Sequence, residues 1–205
     1  MTQERQPVTS QFSGDPETIW LTEAGTDRNM ALLQDFWFID RRGNRWDAPK
    51  ASIVNGASIP RPLWSLVGSP YTGDYRRASI VHDVACEYAG GDPARRRAAD
   101  RMFFEACREG GCTAWEATVL YVGVRIGAWW GRATNPEAPR GVRLTLGVGD
   151  TALQQDFQAV SEDVLRQGET DDPAEVEART DAALSAHTAR NSAIAAMAIA
   201  RFVVP

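Results

Sequence analysis

Residues 1 to 30 are polar and carry no hydrophobic period, so they predict no regular element. Apolar and aromatic residues first gather at 31 to 40, ALLQDFWFID, and RRGNRW follows. That pattern predicts a strand, a turn around Gly43-Asn44 and a second strand. APKASIVNGASIPRPLWSLVG, 48 to 68, predicts another short strand ending at Asn55-Gly56. A proline-punctuated loop and a short helical turn carrying Trp64 come next, and Gly68, Pro70 and Gly73 mark a second loop.

From Asp74 the pattern is helical. Asp74 is expected to cap a helix reaching about Ala89, and GGDP breaks the chain. Asp92 as N-cap with Pro93 at the first helical position opens a second helix, which runs to about Arg108 and ends at Gly110-Gly111. Thr113 and Glu116 form a capping box for a third helix, roughly 114 to 130, carrying Trp115, Leu120, Ile126 and the pair Trp129-Trp130. Residues 131 to 150 predict a loop with one short strand at Val142 to Leu146. Beyond Asp150 the chain turns alanine-rich and acidic. It predicts a helix at about 152 to 167 and another from Asp172-Pro173 to about residue 200. The apolar stripe of the last helix, Val176, Leu184, Ile194 and Ala198, is thin.

The expected fold class is α+β and mostly helical. A small N-terminal β-hairpin or sheet precedes a three-helix core that contains an antiparallel helix pair, and a helical appendage follows. The expected division is an irregular segment 1–30, a core domain 31–150 and an appendage 151–205. A long alanine-rich helix with little bulk packs on a neighbour or a second chain. Residues 151–205 are therefore the expected surface for a protein partner or self-association.

Composition narrows the function classes. The 205 residues are 43% hydrophobic and 24% charged, as in ordinary globular chains, and the net charge is -5. The basic clusters Arg76-Arg77 and Arg95-Arg96-Arg97 have acidic flanks, so no nucleic-acid partner is expected. No apolar run approaches about 18 residues, and MTQERQPVTSQ has no signal-peptide core. The expected site of synthesis is cytoplasmic. Cys86, Cys107 and Cys112 are an odd set without metal spacing, which predicts reduced thiols and argues against a Cys/His zinc site. Cys86 is read as a buried structural thiol.

The chain has two histidines, and one lies in RRASIVHDVACEY, 76 to 88, beside Asp83. His82 is eight residues before Gly90, and Asp100 is eight residues after Asp92. In an antiparallel hairpin both stand roughly 12 Å from the turn, at about 1.5 Å per residue. An aspartate accepting from one imidazole nitrogen leaves the other free to take a proton, which makes His82 a candidate general base oriented by Asp100. Asp83, about 100° around the helix, could hold Ca²⁺ with backbone carbonyls from 55 to 60 and 68 to 73. The other histidine, His187, is expected to be solvated. Weaker site readings are a Ser58-His82-Asp100 triad, set against Ser58 as the cap of the short helix around Leu63, and Trp129-Trp130 at a membrane interface, set against core packing with one exposed edge. An HD-type phosphohydrolase needs a histidine upstream of His82, and there is none.

SIVHDVACEYAGGDPARRRAADRMFFEAC resembles the helix pair of secreted phospholipases A2. That resemblance implies that His82 activates water, Asp83 binds Ca²⁺ and Asp100 orients the histidine, on a phospholipid or membrane substrate. The paired half-cystines that flank the motif in that family are absent, and no glycine-rich calcium loop of its wording precedes the helix. A longer stretch, NGASIPRPLW, GDYRRASIVHD, AADRMFFEA and YVGVRIGAWWG, is similar to the DUF1353 family of uncharacterised proteins found in phages, prophages and bacterial genomes. That family usually reads T-D-G-A-S-I-P, and Asn55 stands here in place of its aspartate. Two function classes follow: a calcium-dependent hydrolase delivered to an envelope, and a non-enzymatic virion or tail accessory protein.

Overall fold

A computed structural model describes residues 9–23, 29–56, 59–69, 71–134 and 149–202, with 130–134, 149 and 193–202 described by backbone alone. Among these residues six short strands come first: β1 Gln11–Phe12, β2 Thr18–Trp20, β3 Met30–Leu32, β4 Phe36–Ile39, β5 Arg45–Ala48 and β6 Ile53–Val54. They form two antiparallel sheets in the orders β1-β4-β5 and β2-β3-β6. A 3-10 turn, Arg61–Leu63, runs into α1 Trp64–Val67. Then come α2 Arg76–Ala89, α3 Pro93–Gly110, α4 Ala114–Thr134, α5 Gly149–Leu165 and α6 Pro173–Phe202. The fold is α+β and mostly helical. Among the described residues no helix is long and apolar enough to cross a membrane.

Several local expectations change. Residues 1 to 30 are not wholly irregular, because β1 and β2 lie within them and pair with β4 and β3. The stretch 31 to 40 is not one strand: β3 and β4 belong to different sheets. Asp74 does not cap α2. Tyr75 occupies the N-cap with no side-chain capping bond, and Asp74 instead packs on Gly110 and Gly111 at the far end of α3. The strand expected at Val142 to Leu146 lies outside the described residues, as does Ser58.

Other signals act as read. The β4–β5 turn closes around Asp40, whose carboxylate accepts from the Arg42 and Asn44 backbone N–H groups and from Trp46 Nε1. Asp92 accepts from the N–H groups of Ala94 and Arg95 at the start of α3. At the start of α4, Thr113 Oγ1 accepts from Glu116 N–H at 3.1 Å, and Glu116 Oε2 accepts from Thr113 N–H at 2.7 Å. Thr113→Ala is expected to lower stability by about 1 kcal/mol, read by urea denaturation. An unchanged midpoint would show that the α3–α4 connection holds α4 without its cap.

One hydrophobic core joins the sheets to the helices. Leu32, Phe36, Phe38 and Val54 meet Val81, Val84, Phe103, Phe104, Tyr121 and Ile126. Leu153, Phe157, Val160 and Val164 of α5 and Val176 and Leu184 of α6 lie in the same cluster. Ion pairs also tie α6 down: Glu177 pairs with Arg97 and Arg101, and Asp181 with Arg97 and Arg125.

Candidate functional site

The α2–α3 hairpin sets the site. Three residues join the helices, and Asp74, just before α2, touches Gly110 at the end of α3, so the two run antiparallel. His82 and Cys86 are i and i+4 on α2 and share one face. That face meets Asp100 of α3. His82 Nε2 lies 2.9 Å from Asp100 Oδ1, and both side chains are 0% exposed. The imidazole also packs on Phe103, with ring centroids 4.7 Å apart. The structure thus brings together the two residues that equal heights in a hairpin predicted.

Asp100 has more partners than the sequence suggested. Arg96 Nε, one turn earlier on α3, donates to Oδ1 at 3.2 Å. Arg125 Nη1 of α4 donates to Oδ2 at 3.4 Å, and its Nη2 donates to Asp181 Oδ1 of α6 at 2.7 Å. Burial would raise the pKa of Asp100. The His82 hydrogen bond, with His82, Arg96 and Arg125 charge behind it, outweighs burial and holds it below the usual carboxylate range. Burial would likewise push His82 down, but Cys86 and Asp100 beside it raise it to about 9. A shift in that direction favours the protonated ring, held by the Asp100 carboxylate.

Asp83 is different. It is half-buried, and its Oδ2 accepts the Asn55 N–H at 2.7 Å; the Gly56 N–H also bonds to the carboxylate. Burial pushes its pKa up to about 7, against the pull of those two N–H groups and of His82. Asn55 acts here through its backbone, since its carbonyl accepts from Tyr71 Oη at 2.9 Å. Neither contact needs the aspartate that the DUF1353 resemblance expects at 55.

The calcium expectation can be tested on these donors. A hard-cation shell needs oxygens converging on Asp83. The loop turns N–H donors toward it instead. The carbonyls of Asn55, Ile59 and Gly68 accept from Tyr71, Trp64 and Tyr75. Among the described residues, Asp83 belongs to no group of three or more metal-ligating His, Cys, Asp or Glu side chains.

Cys86 is half-buried rather than buried, and its Sγ lies 3.4 Å from His82 Nε2. His187 is not solvated: it is 7% exposed, bonded to Asp156 Oδ1 at 2.8 Å and packed on Trp129. Sequence reasoning missed Arg96 and Arg125 as partners of Asp100. The i, i+4 spacing of Arg96 and Asp100 was a usable signal; Arg125, on another helix, gave none.

Residues 30–124 match the family model described as protein of unknown function, DUF1353. Two uncharacterised proteins of Sinorhizobium fredii (strain NBRC 101917 / NGR234) are similar. One, y4jT, is 39% identical over 44% of this chain and 26% of its own length. The other, y4iH, is 31% identical over 52% of this chain and 44% of its own length. The chain thus spans less than half of either relative. No solved structure matches it.

Proposed function

We propose that the chain is a hydrolase of ester bonds, with Asp83 as the group that takes a proton from water. One observation carries this reading. Asp83 is the half-buried carboxylate of the cluster, fixed by two loop N–H groups, whereas His82 is sealed and its Nε2 is committed to Asp100. The roles that the phospholipase A2 resemblance implied are therefore redistributed. His82 and Asp100 become positioning residues that fix α2 against α3. Arg96, with its side chain 29% exposed, supplies a cation for charge developing on a substrate oxygen.

An apolar surface beside the site favours a lipid ester. Ile19, Ala31 and Ile53 stand side by side across β2-β3-β6, and Ile19 and Ile53 are 52% and 53% exposed. Trp20, 50% exposed, packs on Tyr71, which holds the Asn55 carbonyl. The row Ile19, Ala31 and Ile53, on one face of the sheet, suits acyl chains or a membrane surface.

The test is fatty-acid release from vesicles of phosphatidylcholine and phosphatidylglycerol, with soluble nitrophenyl esters in parallel. Asp83→Asn is expected to lower the rate by about 100-fold or more while leaving the circular dichroism spectrum intact. Release that Asp83→Asn leaves unchanged, or no release from either substrate, would sink the hydrolase reading.

A second reading, a non-enzymatic interaction protein such as a virion or tail accessory component, is favoured by the complete burial of His82 and Asp100. The cluster is then a structural knot, and residues 151–205 or the Ile19–Ile53 face meets a partner. That reading predicts no turnover together with assembly that Asp83→Asn does not alter.

A further inference from the structure

We infer that His82, Cys86 and Asp100 form a three-ligand site for a Zn²⁺-class divalent cation, with the fourth position open. The inference deepens the hydrolase reading by naming what would activate water at Asp83. The binding itself does not depend on that reading.

The geometry comes first. One atom from each residue can be chosen so that all three lie within 4.8 Å of one another. Nε2 and Oδ1 are 2.9 Å apart, and Sγ and Nε2 are 3.4 Å apart. A tetrahedral zinc with ordinary Zn–N, Zn–O and Zn–S bonds separates its ligand atoms by about 3.3–3.6 Å. The cluster therefore needs only small side-chain adjustments. Its donors, thiolate, imidazole and one carboxylate, suit zinc or cobalt rather than calcium or magnesium. The three cysteines carry no metal spacing among themselves, so a pattern search on cysteines alone passes over this site.

The surroundings are organised as a support for ligands. Arg125, only 8% exposed and anchored on Asp181, holds Oδ2 of Asp100 and leaves Oδ1 for the cation. Phe103 fixes the plane of the His82 ring. The half-buried Cys86 and the partly exposed Arg96 provide the path inward. Arg96 donates to Oδ1 at 3.2 Å and so competes with a metal for that oxygen. Binding displaces Arg96 and takes His82 as neutral imidazole and Cys86 as thiolate, so the thiolate and the Asp100 carboxylate balance the divalent charge.

The spacing gives the site a use. His82-Asp83-Val84-Ala85-Cys86 places ligands at i and i+4 with a carboxylate at i+1. In the H-E-x-x-H arrangement two ligands and a general base occupy the same three helix positions. An open fourth position holds a water, whose proton Asp83 would accept.

The experiment is a Co²⁺ titration of the full chain after chelator treatment, read by absorption. Binding predicts a thiolate-to-cobalt charge-transfer band and tetrahedral visible bands, both bleached by Zn²⁺. Cys86→Ser should remove the charge-transfer band, while Cys112→Ser, at a thiol outside the cluster, should leave it. Arg96→Met, which alters no ligand but removes the donor that competes for Asp100 Oδ1, should tighten binding about tenfold. A missing band, or one that persists in Cys86→Ser, overturns the inference. Full hydrolysis in chelator without a band overturns the metal alone, and a band without hydrolysis overturns the hydrolase reading alone.

Discussion

Replacing Asp100 by alanine is expected to destabilise the fold by about 3–5 kcal/mol, because it breaks a buried ion pair from one side. Asp100 is 0% exposed and faces three cationic groups: His82, Arg96 and Arg125. Their fates after the substitution differ. Arg96 is partly exposed and can turn to water. His82 is sealed but can shed its proton. Among the described residues, Arg125, 8% exposed, keeps only Asp181 as an ion-pair partner, and its Nε already has no hydrogen-bond partner. The lower bound is set by Arg125 and the upper bound by the escape routes of the other two. Urea denaturation of wild type and Asp100→Ala, compared at equal slope, measures the difference. A loss under about 1 kcal/mol would mean that water already solvates the cluster, and the buried-knot description would fail.

The pairing that underlies this prediction was legible because it needs only helix arithmetic. The Asp92 cap, Pro93 and the glycine pair at 90 and 91 define where one helix stops and the next starts. From there 1.5 Å per residue gives equal heights. Facing could not be read the same way. Arg125 reaches Asp100 from α4, and Asp181 reaches Arg125 from α6, so both depend on how helices cross. His187 looked solvated because its helix is rich in small residues; its partner Asp156 is supplied by α5. The strands β1 and β2, of two and three residues, are too short to show a period of two, and they exist only through pairing with β4 and β3. Asp74 carries a capping residue type, but its backbone and carboxylate are used against Gly110 and Gly111. Residue type alone does not reveal that competition.

Gly110→Ala tests the contact that holds the hairpin at its open end. Gly110 is helical and needs no positive φ, so in an isolated helix alanine there would gain about 1 kcal/mol. Here a Cβ at 110 would meet the Asp74 carbonyl oxygen at 2.2 Å, where an ordinary carbon–oxygen contact is about 3.3–3.6 Å. The obstacle is backbone and cannot rotate away, so α3 and the start of α2 must separate by about 1 Å. The expected result is a loss of about 2–3 kcal/mol against the helix propensity, measured by urea denaturation. A gain in stability would show that the segment before α2 yields freely. The consequence reaches the site. His82 and Asp100 lie between the tight turn at Gly90 and this contact, and their 2.9 Å separation depends on both ends being fixed. Gly110→Ala should therefore also weaken Co²⁺ binding at His82, Cys86 and Asp100, although it alters none of the three ligands.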